Sequence, residues 1–445
     1  MYPVVEIYGK ESTSKYTIAK YLSLHFDLSL YLMSSTVFSQ LPNDIEEIRH
    51  CWEREALLNK SLLVIEYENN LEKDYNINFK LFQFAKKKAQ TPLIIFSNNQ
   101  IKFPEEFLIS FNIKLLNFLE QTSVWKSCLN QKITNLEINQ LVSQFNLSND
   151  SIQSICRQLE IEIKSNNKKN QNQNKNKFKE VWNICRYYSR VRLEELTNRV
   201  EVSANWNDLV LPVEQYNLIE DVVICLKQKF KVYQEWEFCK KGNRGHSITV
   251  LFYGESGTGK TMAAEVIASE LCLDLYSIDL SRVVSKYVGE TEKRLEEIFS
   301  AAESGGAILL FDKADALFSK RVEVQDSHNY YANIQVSYLL QRIEMYKGLS
   351  ILTTNFKDNL DSAFERRIQF MINFPFPNAN LTTKIWTQIF LLKTPTFELN
   401  YELLGQLKVS GGNIRNIALN SAFIAANLGG SVTMNTYLML LRKNT

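Results

Sequence analysis

At 445 residues, with 45% hydrophobic and 22% charged residues, the chain has the size and composition of about two or three globular domains, each with its own core. A formal net charge of +2 gives no electrostatic reason for a nucleic-acid or anionic-membrane partner. Seven cysteines and four histidines, all dispersed, form no zinc spacing and fit reduced thiols in a cytoplasmic protein. The opening "MYPVVEIYGK" lacks the pattern of a signal peptide, and no window approaches the ~20 apolar residues of a membrane span.

In chain order, the first feature is "GKESTSKY" (9–16), which sets Lys15 at phosphate-loop distance from Gly9 without the inner glycines. Short apolar runs follow: "LLVIEY" (62–67), "PLIIFSNN" (92–99) and "FNIKLLNF" (111–118). They read as buried strands between helical patterns, and "LVSQFNLSNDSIQSI" (141–155) reads as helical. The stretch "IKSNNKKNQNQNKNKFKE" (163–180) is almost entirely Asn, Gln and Lys, has little apolar surface to bury, and reads as a solvated linker.

Beyond it, "VWNICRYYSRVRLEELTNRV" (181–200) predicts a helix, "WNDLVLP" (206–212) breaks into extended chain, and a helix spans 213–235. Residues 248–280 then read as strand, glycine loop, helix and strand. "AILLFD" (307–312), "LSILTTN" (349–355) and "IQFMINFPFP" (368–377) are further strand candidates, and from about residue 380 the pattern is helical only. Strands alternating with helices imply a parallel sheet covered on both faces.

"GESGTGKT" (254–261) has the full G-x4-G-K-[ST] spacing in strand-to-helix context. Gly254, Gly257 and Gly259 let backbone N–H groups turn toward phosphate oxygens, and the following helix aims its N-terminal dipole at the same anion. Lys260 would pair with the phosphates of ATP or GTP and Thr261 would ligate magnesium, with Thr258 and Met262 completing the loop's nucleotide set. A strand ending in Asp312 has the form of a carboxylate that meets magnesium through water.

Taken together, "GESGTGKT", "SKYVGETEKRL" (285–295), "LLFDKADALF", "ILTTN", "LDSAFERRIQFMINFPFP" (360–377) and "GGNIRN" (411–416) resemble an AAA+ ATPase of the clade with katanin- and spastin-like remodelling machines. The run "KADALFSKRVEV…NIQVSYLLQRIE" also looks like bacterial two-module ATPases encoded with extracellular contractile injection systems. The resemblance implies ATP with Mg2+ as ligand and a homo-hexameric ring. Asn355 falls at the residue that reads the γ-phosphate. Arg366 and Arg367 fall in the segment that reaches a neighbouring subunit's ATP, and Arg415 falls at a lid arginine. Asp208, Leu209 and Val210 match the segment beside adenine. Lys286, Tyr287 and Val288 match a pore loop that grips polypeptide.

One departure matters. The family has Asp-Glu where this chain has Asp312-Lys313. The missing glutamate positions the attacking water, and an ammonium offers three donors and no acceptor. Asp315, Glu303 and Glu323 are candidate substitutes. The expectation is ATP binding with slowed or altered hydrolysis in a protein-remodelling motor. The alternative is an ATP-gated assembly scaffold with little turnover. Tyr287 and the near-neutral charge count against a DNA-acting protein.

The first half repeats the second. Lys15 lies on Lys260 at an offset of 245, and "AKYLSLHFDLSLYLM" (19–33) follows on "AEVIASELCLDLYSI" (264–278) without a gap. Glu66 and Tyr67 fall on Asp312 and Lys313, Ser97 or Asn98 falls near Asn355, and "FNIKLLNF" runs against "RIQFMINF" (367–374). "LVSQFNLSNDSIQSI" lies on "LLGQLKVSGGNIRNI" (403–417) at an offset of 262. The chemical positions are lost: Ser12, Ser14 and Tyr16 replace Gly257, Gly259 and Thr261, Ser110 and Phe111 face the two arginines, and Gln153 faces Arg415. The expected fold class is α/β, two tandem P-loop AAA+ modules with the first degenerate and kept for shape. The expected divisions are a degenerate α/β domain over 1–125 with its lid over 126–162, a linker over 163–180, an ATPase α/β domain over 181–377 and its lid over 378–445.

Overall fold

The computed structural model of the chain describes residues 4–9, 11–40, 45–67, 79–81, 83–85, 91–101, 108–129, 133–166, 177–238, 247–280, 290–314, 337–355, 365–390 and 393–435. The chain divides into two compact units, Met1–Ile138 with Leu147–Lys177, and Asn139–Asn146 with Phe178–Thr445.

Among the described residues the first unit carries five parallel strands, β1 (Val4–Tyr8), β2 (Ser29–Ser34), β3 (Ser61–Glu66), β4 (Leu93–Ser97) and β5 (Leu108–Asn112), in the order β2-β3-β4-β1-β5. Helices of this part of the chain include α1 (Ser12–His25), α2 (Val37–Gln40), α3 (Ile45–Asn59), α4 (Phe118–Leu129), α5 (Asn135–Gln144) and α6 (Asn149–Asn166). Successive side chains of a strand point to opposite faces, so both faces of β3 and β4 must be covered. Leu63, Ile65, Leu93 and Ile95 pack with Phe38 and Phe84 on one side, and Leu62, Val64, Ile94 and Phe96 pack with Ala19 on the other. A buried carboxylate pins the register. Glu6 of β1 accepts from Ser97 Oγ of β4 (2.8 Å) and from Ser110 Oγ of β5 (2.7 Å).

The second unit is reached through α7 (Lys177–Glu194), β6 (Asn198–Val200) and a 3-10 turn (Trp206–Asp208). Then come α8 (Val213–Phe230), which continues through a π-helical turn (Lys231–Glu235), β7 (Ile248–Tyr253), α9 (Lys260–Leu271), β8 (Leu275–Asp279), α10 (Glu290–Gly305), β9 (Ile308–Asp312), β10 (Leu349–Thr354) and β11 (Phe370–Asn373). The helices α11 (Ala379–Ile389), α12 (Tyr401–Gly405) and α13 (Gly411–Asn427) follow. The sheet order is β11-β7-β10-β9-β8-β6, parallel except for β6, which runs antiparallel to β8. Both units are thus parallel sheets flanked by helices.

Several sequence expectations are corrected. The helix expected over 181–200 stops at Glu194, and Asn198–Val200 forms a sheet edge instead. Its anchor is Asp274, 6% exposed, which accepts hydrogen bonds from Arg186 and Arg190 with Arg199 3.7 Å away. The linker expected over 163–180 is helical at both ends, since α6 runs to Asn166 and α7 starts at Lys177, and 167–176 lie outside the described residues. The division placed after residue 125 falls inside α4, whose start is fixed by Asn117 Oδ1 accepting from Glu120 N (2.9 Å).

Burial pushes the Asp274 carboxyl up, but Arg190 and Arg186 outweigh it and hold the pKa below the usual value. A depressed folded-state pKa stabilises above the unfolded carboxylate pKa of about 3.9 and is lost as pH falls through the folded value. Asp274→Asn is therefore expected to cost about 2 kcal/mol at pH 7. In urea melts the gap to wild type should close in acid, and a gap that persists in acid would contradict this account.

The strand registers superimpose the two sheets. Tyr8 lies opposite Ser97 and Asn112, and Tyr253 lies opposite Thr354 and Asn373. Ser34 faces Glu66 as Asp279 faces Asp312. These pairs keep Glu66 on Asp312 and put Asn98 on Asn355, with Ser97 on Thr354. They correct the alignment of 111–118. Asn112 falls on Asn373 and not on Ile368, so Ser110 and Phe111 face Met371 and Ile372. The counterparts of Arg366 and Arg367 become Glu105 and Glu106, which lie outside the described residues. A short apolar strand fits several registers in sequence, and the Glu6 hydrogen bonds choose one. The same offset runs on into the helices. Asn117 and Asn378 each cap a helix, Thr122 and Thr383 each donate back one turn, and Trp125 and Trp386 are each fully buried.

Candidate nucleotide site

The loop between β7 and α9 sits at the C-terminal edge of the sheet, where open α/β folds bind ligands. Each of its glycines has positive φ, for a different reason. A Cβ on Gly254 (φ +142°) would lie 2.2 Å from Phe374 O, and one on Gly257 (φ +77°) would lie 2.7 Å from Ser410 Oγ. Nothing lies within 4 Å of that position on Gly259 (φ +104°), which leaves its backbone open to an approaching phosphate. Buried Ala263, Ala264, Val266 and Ile267 anchor α9 to the core, so its N-terminus holds a fixed aim. Thr261 is exposed at that N-terminus, Met262 packs against the core, and the Thr258 hydroxyl donates to Glu255 O (2.8 Å).

Lys260 Nζ donates to Gly254 O (2.6 Å), Glu255 O (2.9 Å) and Asn355 Oδ1 (3.0 Å). Asp312, at the end of β9, accepts from Thr353 Oγ1 of β10 at 2.6 Å, which orients its carboxylate. Lys260, Asn355, Thr353 and Asp312 thus converge on one edge from three neighbouring strand ends. The lid closes over the same loop. Ser410 caps α13 by accepting from Asn413 N (3.3 Å), and Gly412 N donates to Gly257 O (3.0 Å). Thr353, Ser410 and Gly412 were missed in the sequence. The available signals were the paired threonines of "ILTTN", polar residues in an otherwise apolar strand, and the glycines of "GGNIRN".

The remaining expected residues divide. Asp208 is committed to its own turn, where its carboxylate accepts from Asn205 N (2.9 Å), while Leu209 is buried and Val210 half-buried. Arg415 is exposed on α13. Arg367 pairs with Glu344 (2.8 Å), and Arg366 is exposed. Lys313 takes a left-handed φ of +56°, with Nζ 3.5 Å from Asp279 Oδ2. Lys286, Tyr287, Val288, Asp315 and Glu323 lie outside the described residues. Among the described residues no group of three or more His, Cys, Asp or Glu is placed to hold a metal. One hydroxyl (Thr261) and one oriented carboxylate (Asp312) fit a magnesium ion that completes its octahedron with phosphate oxygens and water.

The first unit's loop keeps the outline and fills the interior. Gly9 (φ +149°) stands in for Gly254, since its Cβ would lie 2.2 Å from Ile113 O. Lys15 is buried, with Nζ donating to Gly9 O (2.8 Å) and Ser97 O (3.0 Å). Burial pushes its pKa down, against the opposing pull of Glu66. Tyr16, at the place of Thr261, donates to Glu66 Oε1 (2.7 Å), at the place of Asp312, and its ring stands edge-on to Phe96. Burial and then the Glu66 bond push the Tyr16 hydroxyl up to about 12. Glu11, where the other loop has Ser256, is buried as well, and burial pushes its carboxyl up.

Residues 250–376 match the AAA family, the ATPase family associated with various cellular activities. Residues 117–191 match the contractile injection system ATPase helical domain. The chain therefore carries an AAA ATPase domain, preceded by a segment similar to that helical domain. An uncharacterized AAA family ATPase (y4kL) of Sinorhizobium fredii is 33% identical over 190 residues, covering 42% of this chain and 54% of that protein. The proteasome-activating nucleotidase of Saccharolobus solfataricus is 32% identical over 205 residues, covering 44% of this chain and 52% of its own. That of Sulfurisphaera tokodaii is 32% identical over 190 residues, covering 40% and 48%. The chain spans about half the length of the curated relatives it matches.

Proposed function

We propose that the chain binds MgATP at the 254–261 loop and uses it to drive remodelling of a protein substrate. The observation that carries this reading is the convergence of Lys260, Asn355 and Asp312 beside the open backbone of Gly259. Lys260 and the α9 N-terminus hold the phosphates, Thr261 and Asp312 hold magnesium, and Asn355 contacts the terminal phosphate. Bound magnesium would supply charge neutralisation at the phosphates. Val210 and Met262 line the base side, and Arg415 approaches from the lid.

A homo-hexameric ring follows from the same reading. Exposed Arg366 reaches the neighbouring subunit's nucleotide, Arg367 is tied to Glu344, and Lys286, Tyr287 and Val288 contact the substrate polypeptide. The resemblance to proteasome-activating nucleotidases supports a protein substrate over nucleic acid. No helix among the described residues is long and apolar enough to cross a membrane, and we place the protein in the cytoplasm. The first unit, its loop filled by Tyr16, Lys15 and Glu11, serves as a scaffold that takes no nucleotide. Lys313 favours a second reading, an ATP-gated assembly scaffold with little turnover.

Titration calorimetry with MgATP on the full chain is expected to saturate at about one nucleotide per chain, and Lys260→Ala to weaken binding by about 10²-fold or more. Two nucleotides per chain would contradict the scaffold role of the first unit. Unchanged affinity in Lys260→Ala would contradict the site itself.

A further inference from the structure

ATP hydrolysis at this site needs a carboxylate to accept a proton from the attacking water, and position 313 holds an ammonium. Glu303 is at the wrong end of the sheet. It precedes β9, near Tyr346, whose hydroxyl donates to Ala307 O just before that strand begins. Burial, and then Glu303, push the Tyr346 hydroxyl's pKa up, which agrees with that placement.

Asp279 is at the right end. It closes β8 at the C-terminal edge and sits in register opposite Asp312 on the adjacent strand, about 4.8 Å away by strand spacing. Its side chain is 23% exposed, so it is open to water, and its Oδ2 lies 3.5 Å from Lys313 Nζ. Thr353 orients the Asp312 carboxylate from the other side. The edge therefore reads, across three strands, Thr353, Asp312 with Lys313, and Asp279. The carboxylate missing from the residue after Asp312 is present one strand over, held to the lysine that replaced it.

We infer that Asp279 is the water-positioning carboxylate of this site and that Lys313 is the residue that orients it. The inference rests on the ATPase reading above. In the step, the water oxygen forms its bond to the γ-phosphorus as the bond to the bridging oxygen breaks. The electron pair leaves on ADP, and the water proton passes to the Asp279 carboxylate and then to solvent.

The test is phosphate release and MgATP affinity, measured on the full chain for wild type, Asp279→Asn, Asp279→Glu, Lys313→Glu and the Asp279→Asn/Lys313→Glu pair. Asp279→Asn is expected to lower kcat by about 10²-fold with KM and ATP affinity little changed. Asp279→Glu, which keeps the carboxylate, should stay within about tenfold of wild type. The double variant should turn over as fast as Lys313→Glu, because the carboxylate at position 313 takes over the role that Asp279 loses, whereas a purely structural role of Asp279 would leave it about 10²-fold below Lys313→Glu. An Asp279→Asn kcat within about threefold of wild type would overturn the inference, as would an Asp279→Glu loss as deep as that of Asp279→Asn. Wild type that binds MgATP and releases no phosphate overturns it too, while leaving nucleotide binding standing. Wild type that binds no MgATP overturns the ATPase reading, and the inference with it.

Discussion

Lys313→Glu raises steady-state phosphate release by about 10²-fold on the reading above, within the 10²–10⁴-fold range of a positioned general base. The backbone favours the gain. Lys313 sits just past the end of β9 at φ +56°, a conformation that turns its side chain off the strand, and its side chain is 62% exposed. A glutamate there meets the Asp279 carboxylate across the strand ends, and like charges at that distance repel. The new side chain is thereby biased away from β8. A wild-type turnover near about one per second that Lys313→Glu fails to raise would refute the claim that position 313 limits the chemistry.

Gly254→Ala and Gly9→Ala are each expected to destabilise their own unit by about 3 kcal/mol or more. Both residues have strongly positive φ, and in both a Cβ would drive to 2.2 Å from a backbone carbonyl, Phe374 O in one unit and Ile113 O in the other. The residue carrying each carbonyl is tethered through its own N–H, since Phe374 N donates to Tyr253 O (2.7 Å) and Ile113 N donates to Tyr8 O (2.8 Å). Gly259→Ala is the contrast. With nothing within 4 Å, it should leave the fold nearer wild type while weakening nucleotide binding. Thermal melts of the three variants check this, and equal losses in all three would show that φ strain, not the carbonyl, decides.

That contrast explains why the repeat was legible in the sequence. Gly9 is legible because a neighbouring strand's carbonyl forbids any side chain there, a demand that does not depend on a phosphate. Ser14 stands at the place of Gly259, where nothing in the fold crowds a side chain, and Ser12 at that of Gly257, whose neighbour is Ser410 of the lid. Lys15 was legible for a similar reason, because its ammonium ties β1 to β4 through Gly9 O and Ser97 O. The strands were legible as apolar runs, and the phosphate loop as spacing. Less visible were features that depend on cross-strand register. The placement of Asn112 on Asn373 rests on Glu6, a polar residue inside a buried strand whose partners lie 91 and 104 residues away. The three-residue strand β6 was hidden in a helical pattern because Asp274, far along the chain, gathers its arginine. Asp279 reads in sequence as one more strand-end acid, and only its pairing with Asp312 gives it a role.

The Tyr16–Glu66 bond has a thermodynamic meaning of its own. A site held together by a ligand gains stability with the logarithm of ligand concentration, so its fold tightens and slackens with supply. A hydrogen bond between two residues of one chain has no such concentration term. In the first unit the contact at the place of Thr261 and Asp312 is supplied by the chain itself and is equally strong when nucleotide is scarce or abundant. On the proposed function, the stability of the second unit follows nucleotide supply and that of the first does not.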